Sequence, residues 1–312
     1  MDNQINQSGF FRSPDNGLWL PVSMLPKIHD IERKSIFLYS DVFQQSTLLS
    51  KLFNKYEVAI KKSPDLDEMM GSAKTLHEEW QKNRCKDLTD RNILWDALTM
   101  KRICEAILPL DGNVRAKEIL QRLTDGHLRM MKHGYSLAKN TLWELEIWSR
   151  AKRAGLEVEL QEPDVVWTDK GEKTGVACKK IYSDNNADKS LQDAVRQIND
   201  STTYGFAALD LDEFSPEAKQ FVTNDIRVAG KQLQELNGKF LREHKERFRR
   251  YFKSDRLTGA IVSTSCITII KKDGGDMPFF NAQWHVWTHP NLSIEHKRRI
   301  ESFKQALNRT ND

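Results

Sequence analysis

The chain has four cysteines in 312 residues, at 85, 104, 178 and 266, and their scatter offers neither a disulfide framework nor metal-ligand spacing. Four free thiols are expected. Long apolar runs are also missing. The longest weakly polar stretch, 259–270, is interrupted by Ser263, Thr264 and Ser265 and falls well short of the roughly 20 residues that cross a bilayer. No transmembrane helix and no membrane partner are expected. The N-terminus, MDNQINQSGFFRSPDNG, lacks the basic, apolar and small-residue order of a secretory signal, so a cytoplasmic location is expected. There is no internal repeat of fixed period and no low-complexity tract beyond this polar arm.

What is present is an ordinary globular composition, 39% hydrophobic, with 48 basic and 44 acidic residues for a net charge of +4. A chain of this length has room for two domains of roughly 100 to 200 residues each. The small net charge favours polyanions only mildly, so its distribution matters more than its sum. Between Lys239 and Arg256 the stretch KFLREHKERFRRYFKSDR carries eight Lys or Arg against three acidic residues, with Phe240, Leu241, Phe248, Tyr251 and Phe252 interleaved. It reads as a basic amphipathic helix. Arg249 and Arg250 are candidate phosphate contacts there, and the competing reading is a solvated helix face.

Residues 1 to about 30 hold several turn-formers and read as an irregular arm packing through Phe10, Phe11, Leu18 and Trp19. From 31 to about 138 the pattern is helical: Leu48, Leu49, Leu52 and Phe53, then Ile93, Leu94, Leu98, Ile103 and Ile107, then Ile119, Leu120, Leu123, Leu128 and Met131 recur at steps of three and four. Ser63-Pro64, Pro109 and Gly112 break the helices. A helical N-terminal domain over 1–138 follows, suited to docking a partner protein or a second copy of the chain. The second domain is placed at 139–312.

Asn140 or Thr141 is the expected cap of the next helix, and Thr141 with Glu144 fits a Ser/Thr-x-x-Glu capping box. On that reading Glu144 satisfies a backbone amide. The helix ends at Gly155. Residues 156–160 alternate as a short strand, and 165–167 and 176–178 are two more, joined by TDKGEKTG as a hairpin. Alternation puts Ala177 and Lys179 on one strand face and Cys178 and Lys180 on the other. A helix over 187–199 then leads to a buried strand over 204–211, which its crossover makes parallel to its neighbour. A long helix is expected from Pro216 to Phe252 with a break near Gly238. Strands at 260–270 and 283–287 and a helix at 294–307 close the chain. The fold class is α/β (α+β): a mixed-sheet core preceded by helices.

Over 141–211 the order acidic helix, Pro163-Asp164 strand, hairpin, strand ending in a lysine, and helix resembles the PD-(D/E)XK nuclease superfamily. The resemblance implies a restriction-endonuclease-like core and phosphodiester hydrolysis, with DNA as the nucleic-acid partner and Mg²⁺ or Mn²⁺ as cofactor. It implies Asp164 as metal ligand, Lys179 beside the attacking water and Glu144 or Glu146 as the helix carboxylate. Gln197 falls where some members carry a helix glutamine. Lys180, on the other strand face, is at best a second phosphate contact. The departure is Ala177, which stands where the second acidic ligand belongs. A methyl group cannot ligate metal, so impaired cleavage is expected, and a non-catalytic nucleic-acid-binding or sensing module acting through a partner is the alternative. A third reading is a structural interaction protein without nucleic-acid contact. The geometric expectation is that Asp164, Lys179 and a helix Glu face one cleft, with the Cβ of Ala177 pointing into it and basic residues at its rim.

Other candidates carry less. His285 and His289 have no further ligand at metal spacing. Trp284 and Trp287 read as core rather than base-stacking platforms. Asp210 and Asp212 follow a strand end, where α/β sheets place ligands, and read as solvated or helix-capping groups.

Overall fold

The computed structural model describes residues 10–12, 19–21, 28–83, 91–214, 220–252, 257–272, 275–288 and 293–309. The first elements are a small antiparallel pair, β1 (Phe10–Arg12) and β2 (Trp19–Pro21). The arm packing expected of Phe10, Phe11, Leu18 and Trp19 lies outside what is described. Four helices follow: α1 (Ile28–Lys55), α2 (Pro64–Asn83), α3 (Arg91–Ile107) and α4 (Ala116–Leu123). Pro64 opens α2, where its missing N–H and fixed φ are tolerated. The three-and-four spacing buries Leu49, Leu52, Phe53, Ile103, Ile107, Ile119, Leu120 and Leu123, whereas Leu48 is 51% and Met131 38% exposed. One apolar cluster runs unbroken from Val42 to Phe303 and crosses the boundary expected at 138.

Helix α5 (Leu137–Arg153) starts earlier than the sequence pattern implied. Its cap is Ser136, whose hydroxyl accepts from the Lys139 amide. The capping-box reading of Glu144 is therefore wrong, because the residue sits two turns inside the helix. Gly155, at φ 79°, ends the helix in the left-handed region that glycine enters without strain.

The sheet then builds from β3 (Glu157–Glu159), β4 (Val165–Asp169) and β5 (Glu172–Lys180), all antiparallel. Lys170 and Gly171, at φ 53° and 81°, form the two-residue turn between β4 and β5, a geometry matched to strand twist. Helix α6 (Asp184–Ser201) crosses over to β6 (Tyr204–Asp210), which pairs parallel with β5. The strand β7 (Gln220–Thr223) occupies chain expected to be helical, and α7 (Ile226–Glu243) runs through Gly238 before a break at His244 separates it from α8 (Lys245–Phe252). Pro216 lies outside the described residues. A long hairpin, β8 (Leu257–Lys272) with β9 (Gly275–Trp287), and α9 (Ile294–Arg309) complete the fold.

This is a mixed α/β fold whose main sheet runs β3-β4-β5-β6-β8-β7, with β9 beside β8. Because β9 takes one edge of β8 along most of its length, β6 and β7 share the other edge end to end, both parallel to β8. Alternation divides the side chains between two layers. Val176, Phe206, Ala208, Ile261 and Trp284 face α5, and the Trp143 indole N–H donates to Ala208 O at 3.1 Å, tying that helix to the middle of the sheet. Ala177, Ala207, Leu209, Ala260 and Val262 face α6 and α8. Each large apolar side chain so buried stabilises by about 1.5–3 kcal/mol. Among the described residues no helix is long and apolar enough to cross a membrane.

Candidate active site

The strand β4 begins at Val165, opposite Val176, so β5 runs on past it with an open edge from Ala177 onward. Asp164 fills the first vacancy in the ladder: its Oδ2 accepts the Cys178 N–H at 2.6 Å. Lys179 sends its amine around the same open edge, and Nζ lies 3.7 Å from Asp164 Oδ2. From the adjoining layer, Glu144 on α5 lines with Asp164 a cavity of about 60 Å³ that Arg115 and Arg122 also border. The Arg122 guanidinium donates one nitrogen to both Glu144 oxygens, at 2.9 and 3.0 Å.

Electrostatics make the two carboxylates uncomfortable neighbours. Burial pushes the Asp164 pKa up to about 7; Lys179 opposes the shift and Glu144 adds to it. Burial also raises Glu144, against Arg122 and Lys179. Burial, with Asp164 and Glu144 close by, drives the Cys178 thiol well above its ordinary range, so it is a neutral S–H. The pocket thus holds two desolvated carboxyls that favour sharing a proton or a cation.

Of the residues singled out in the sequence, Asp164, Lys179 and Glu144 are brought together. Ala177 is not. It is fully buried in the opposite layer with Ile181, Ala187 and Leu191, and the side chain facing α5 beside the carboxylates is Cys178. Lys179 shares the Cβ parity of Ala177, yet its amine reaches Asp164, because β4 stops at Val165 and leaves this edge of β5 open. Glu146 is also placed elsewhere: Arg102 of α3 grips it with Nε and Nη2. Gln197 lies on α6, half-buried, and does not line the pocket. Lys180 is buried and paired with Asp210, which rules out the phosphate contact expected of it. Arg249 and Arg250 are exposed on α8 in the layer opposite α5, with Arg249 paired to Glu246. Phe240, Phe248 and Phe252 of that basic helix are core.

A buried polar network escaped the sequence reading. Asp210 and Asp212 are neither solvated nor capping. Arg102 Nη1 reaches Asp212 Oδ2 at 3.1 Å and Ser265 Oγ at 3.2 Å, and Ser265 donates its N–H and hydroxyl to Asp212 at 2.7 and 2.6 Å. Against the cost of burial, Arg102 and Lys180 hold Asp212 below its usual range, while burial and Asp212 raise Asp210. The signal available in the sequence is the pair of aspartates at the end of an apolar strand, whose partners Lys180 and Arg102 come from distant elements.

Trp284 is core, stacked edge-on against Trp143 at 5.3 Å, and Trp287 packs on Phe248 at 4.8 Å. His289 and Cys85 lie outside the described residues, and Cys104, Cys178 and Cys266 are free. No group of three or more His, Cys, Asp or Glu that could hold a metal occurs among the described residues. Comparisons with protein-family models, with curated proteins and with solved structures match nothing.

Proposed function

We propose that the protein is a metal-dependent nuclease acting on DNA, with Glu144 and Asp164 as the metal-holding carboxylates and Lys179 beside the reacting phosphate. The observation that carries the reading is the meeting of Asp164, Lys179 and Glu144 at one open strand edge, although they come from a loop, a strand and a helix. Two carboxylates suffice for Mg²⁺, which keeps several waters and takes substrate phosphate oxygens as further ligands. The raised Asp164 carboxyl fits a site that is relieved by a cation. Bound there, Mg²⁺ would polarise a phosphate oxygen and acidify water. Cys178, a soft and protonated thiol, would not ligate it.

The chain's own residues supply the rest. Asp164 is fixed by the Cys178 amide, so its second oxygen is free to orient a ligand. Lys179 offsets negative charge gathering on the phosphate, a contribution whose removal costs on the order of 10²–10³ in rate. Arg122 and Arg115 give the phosphate backbone a positive approach. Incubating supercoiled, single-stranded and branched DNA with the protein and Mg²⁺ or Mn²⁺ tests this. Cleavage that Asp164→Asn and Lys179→Ala each abolish is the expected result; absence of both cleavage and Mg²⁺ binding ends the reading.

One observation favours the alternative of a non-catalytic nucleic-acid-binding module: Arg122 already neutralises Glu144. On that reading DNA binds with a steep salt dependence, and the backbone is left intact at every metal concentration.

A further inference from the structure

A second cavity, of about 130 Å³, lies between α3, α5 and β9. Glu144 leaves α5 toward Arg122 of α4, whereas Arg150 leaves it toward Trp284 of β9. The two cavities therefore draw on different sides of one helix. Lys101, Arg102, Arg150 and Arg153 line this one against Glu105 and Glu146. Both acids are already answered: Lys101 pairs with Glu105 at 2.9 Å, and Arg102 is committed to Glu146 and Asp212. That leaves two arginines. Arg153 donates to the Ser149 carbonyl at 3.4 Å. Arg150, only partly exposed, has no hydrogen bond or ion pair among the described residues, and its guanidinium carbon sits 4.4 Å over the Trp284 ring. Stacking uses the face of the guanidinium and leaves its in-plane N–H groups to donate.

We propose that this cavity binds a phosphate dianion, with Arg150 as its principal ligand and Arg153 as its second. Charge favours a phosphate, because four cations less Glu105, Glu146 and the adjoining Asp212 leave a net +1, and the two arginines left without a carboxylate partner among the described residues, Arg150 and Arg153, offer two positive charges to a phosphate monoester that carries about −1.5 to −2 at pH 7. Size selects the group rather than a whole nucleotide: an engineered cavity of about 150 Å³ holds a benzene molecule, so this one takes a tetrahedral oxyanion. Burial lowers the Arg150 pKa, with Glu146 opposing it, as expected of a cation awaiting its counter-ion. The phosphate is either inorganic phosphate or the terminal phosphate of a nucleic-acid end. The proposal does not rest on the nuclease reading, since none of these residues touches Asp164.

Calorimetry of the full chain with inorganic phosphate, and with one oligonucleotide bearing either a 5′-phosphate or a 5′-hydroxyl, tests it. Inorganic phosphate is expected to bind saturably, and Arg150→Met to weaken binding by about tenfold or more. If the 5′-phosphate strengthens oligonucleotide binding and Arg150→Met removes the difference, the ligand is a nucleic-acid end; equal binding of the two oligonucleotides alongside saturable phosphate binding identifies free phosphate. Arg150→Met is also expected to raise the Tm of the unliganded protein, because an unpaired charge is replaced by an apolar chain of similar length. Should that variant not fold, Arg153→Met carries the binding test. Absence of saturable phosphate binding by the natural chain, or binding unchanged in the variant, overturns the proposal.

Discussion

The Asp164 carboxylate accepts the Cys178 amide at 2.6 Å, and so docks against β5 one residue beyond Ala177. The residue at 178, rather than that at 177, therefore shares a layer with Glu144. An acid at 177 would lie on the wrong side of the sheet to join Asp164 and Glu144. Placing an acid at 177 drives it among Ile181, Ala187, Leu191 and Ala207, all buried, where an ionised carboxylate has no partner. Ala177→Glu is expected to destabilise by more than about 3 kcal/mol and to add no metal ligand to the site. Chemical denaturation reads the first, and a variant that folds with unchanged midpoint contradicts it.

Asp164 gives a pH dependence whose direction is fixed by its raised pKa. Its carboxyl titrates near 7 in the folded chain and near 3.9 unfolded. Between those values the unfolded chain binds fewer protons, so this residue's contribution makes stability fall as pH rises from about 4 to about 7. Asp164→Asn keeps an acceptor for the Cys178 amide and removes the charge. It is expected to raise Tm at pH 8 by a few degrees in the absence of metal, with no gain at pH 4. A Tm lowered at pH 8 would show that the ion pair with Lys179 outweighs burial.

Much of this arrangement was legible in advance, and the losses have physical causes. The hairpin was visible in Gly171 and the charged run TDKGEKTG around it, and the parallel pairing of β5 and β6 in the helix between them. The meeting of Asp164 with Lys179 was legible only as what the resemblance to the PD-(D/E)XK superfamily implied. What alternation could not give was the direction of Lys179, because parity describes Cβ atoms, and a four-carbon chain at an edge lacking its neighbour can turn across it. Glu144 looked like a cap because Thr141 stands three residues before it, but Ser136 had already started the helix. Asp210 looks solvated in a sequence and Lys180 looks like a second phosphate contact, since their pairing joins two strands separated by a helix. The same holds for Arg102, whose partners Glu146 and Asp212 lie 44 and 110 residues away.

That network sets the third prediction. Arg102 is the shared counter-ion of Glu146 and Asp212, both largely buried. Arg102→Met leaves two carboxylates without it, and breaking a buried pair from one side typically costs about 3–5 kcal/mol. The double variant Arg102→Met with Glu146→Gln should recover part of that loss through removal of one stranded charge. A double-mutant cycle by denaturant titration measures the coupling; additive losses would show the contacts to be energetically independent.

Gly175 tests how the hairpin positions the site. A Cβ there would meet Pro163 Cγ and Thr202 Oγ1, each at 2.7 Å, so the proline ring and the Thr202 hydroxyl must both give way. Pro163 carries Asp164, so the shift is passed to the carboxylate. Gly175→Ala is expected to cost about 1–3 kcal/mol as an overpacked core position, and to weaken Mg²⁺ binding measured by calorimetry on the folded fraction. Lost stability with unchanged metal binding would place most of the displacement at Thr202.

His285 provides the last prediction, with a sign opposite to that of Asp164. On β9 it points away from Trp284, toward the layer of α7, and is 2% exposed with neither ring nitrogen hydrogen-bonded. Burial holds the imidazole neutral and lowers its pKa to about 4, against about 6.5 in an unfolded chain. From pH 6.5 down to 4 the unfolded chain binds more protons, so stability is lost as the pH falls through that window, by at most about 3 kcal/mol from this residue. His285→Leu removes the titration while keeping an apolar side chain in the space. Because Asp164 titrates in an overlapping range with the opposite slope, the comparison must be made at this residue alone: stability curves of the natural chain and the variant should converge above pH 7 and separate on acidification, the variant being the more stable. Parallel curves from pH 7 to 4 would mean that the histidine acquires a proton without penalty, and hence that a partner reaches it in the acidified protein.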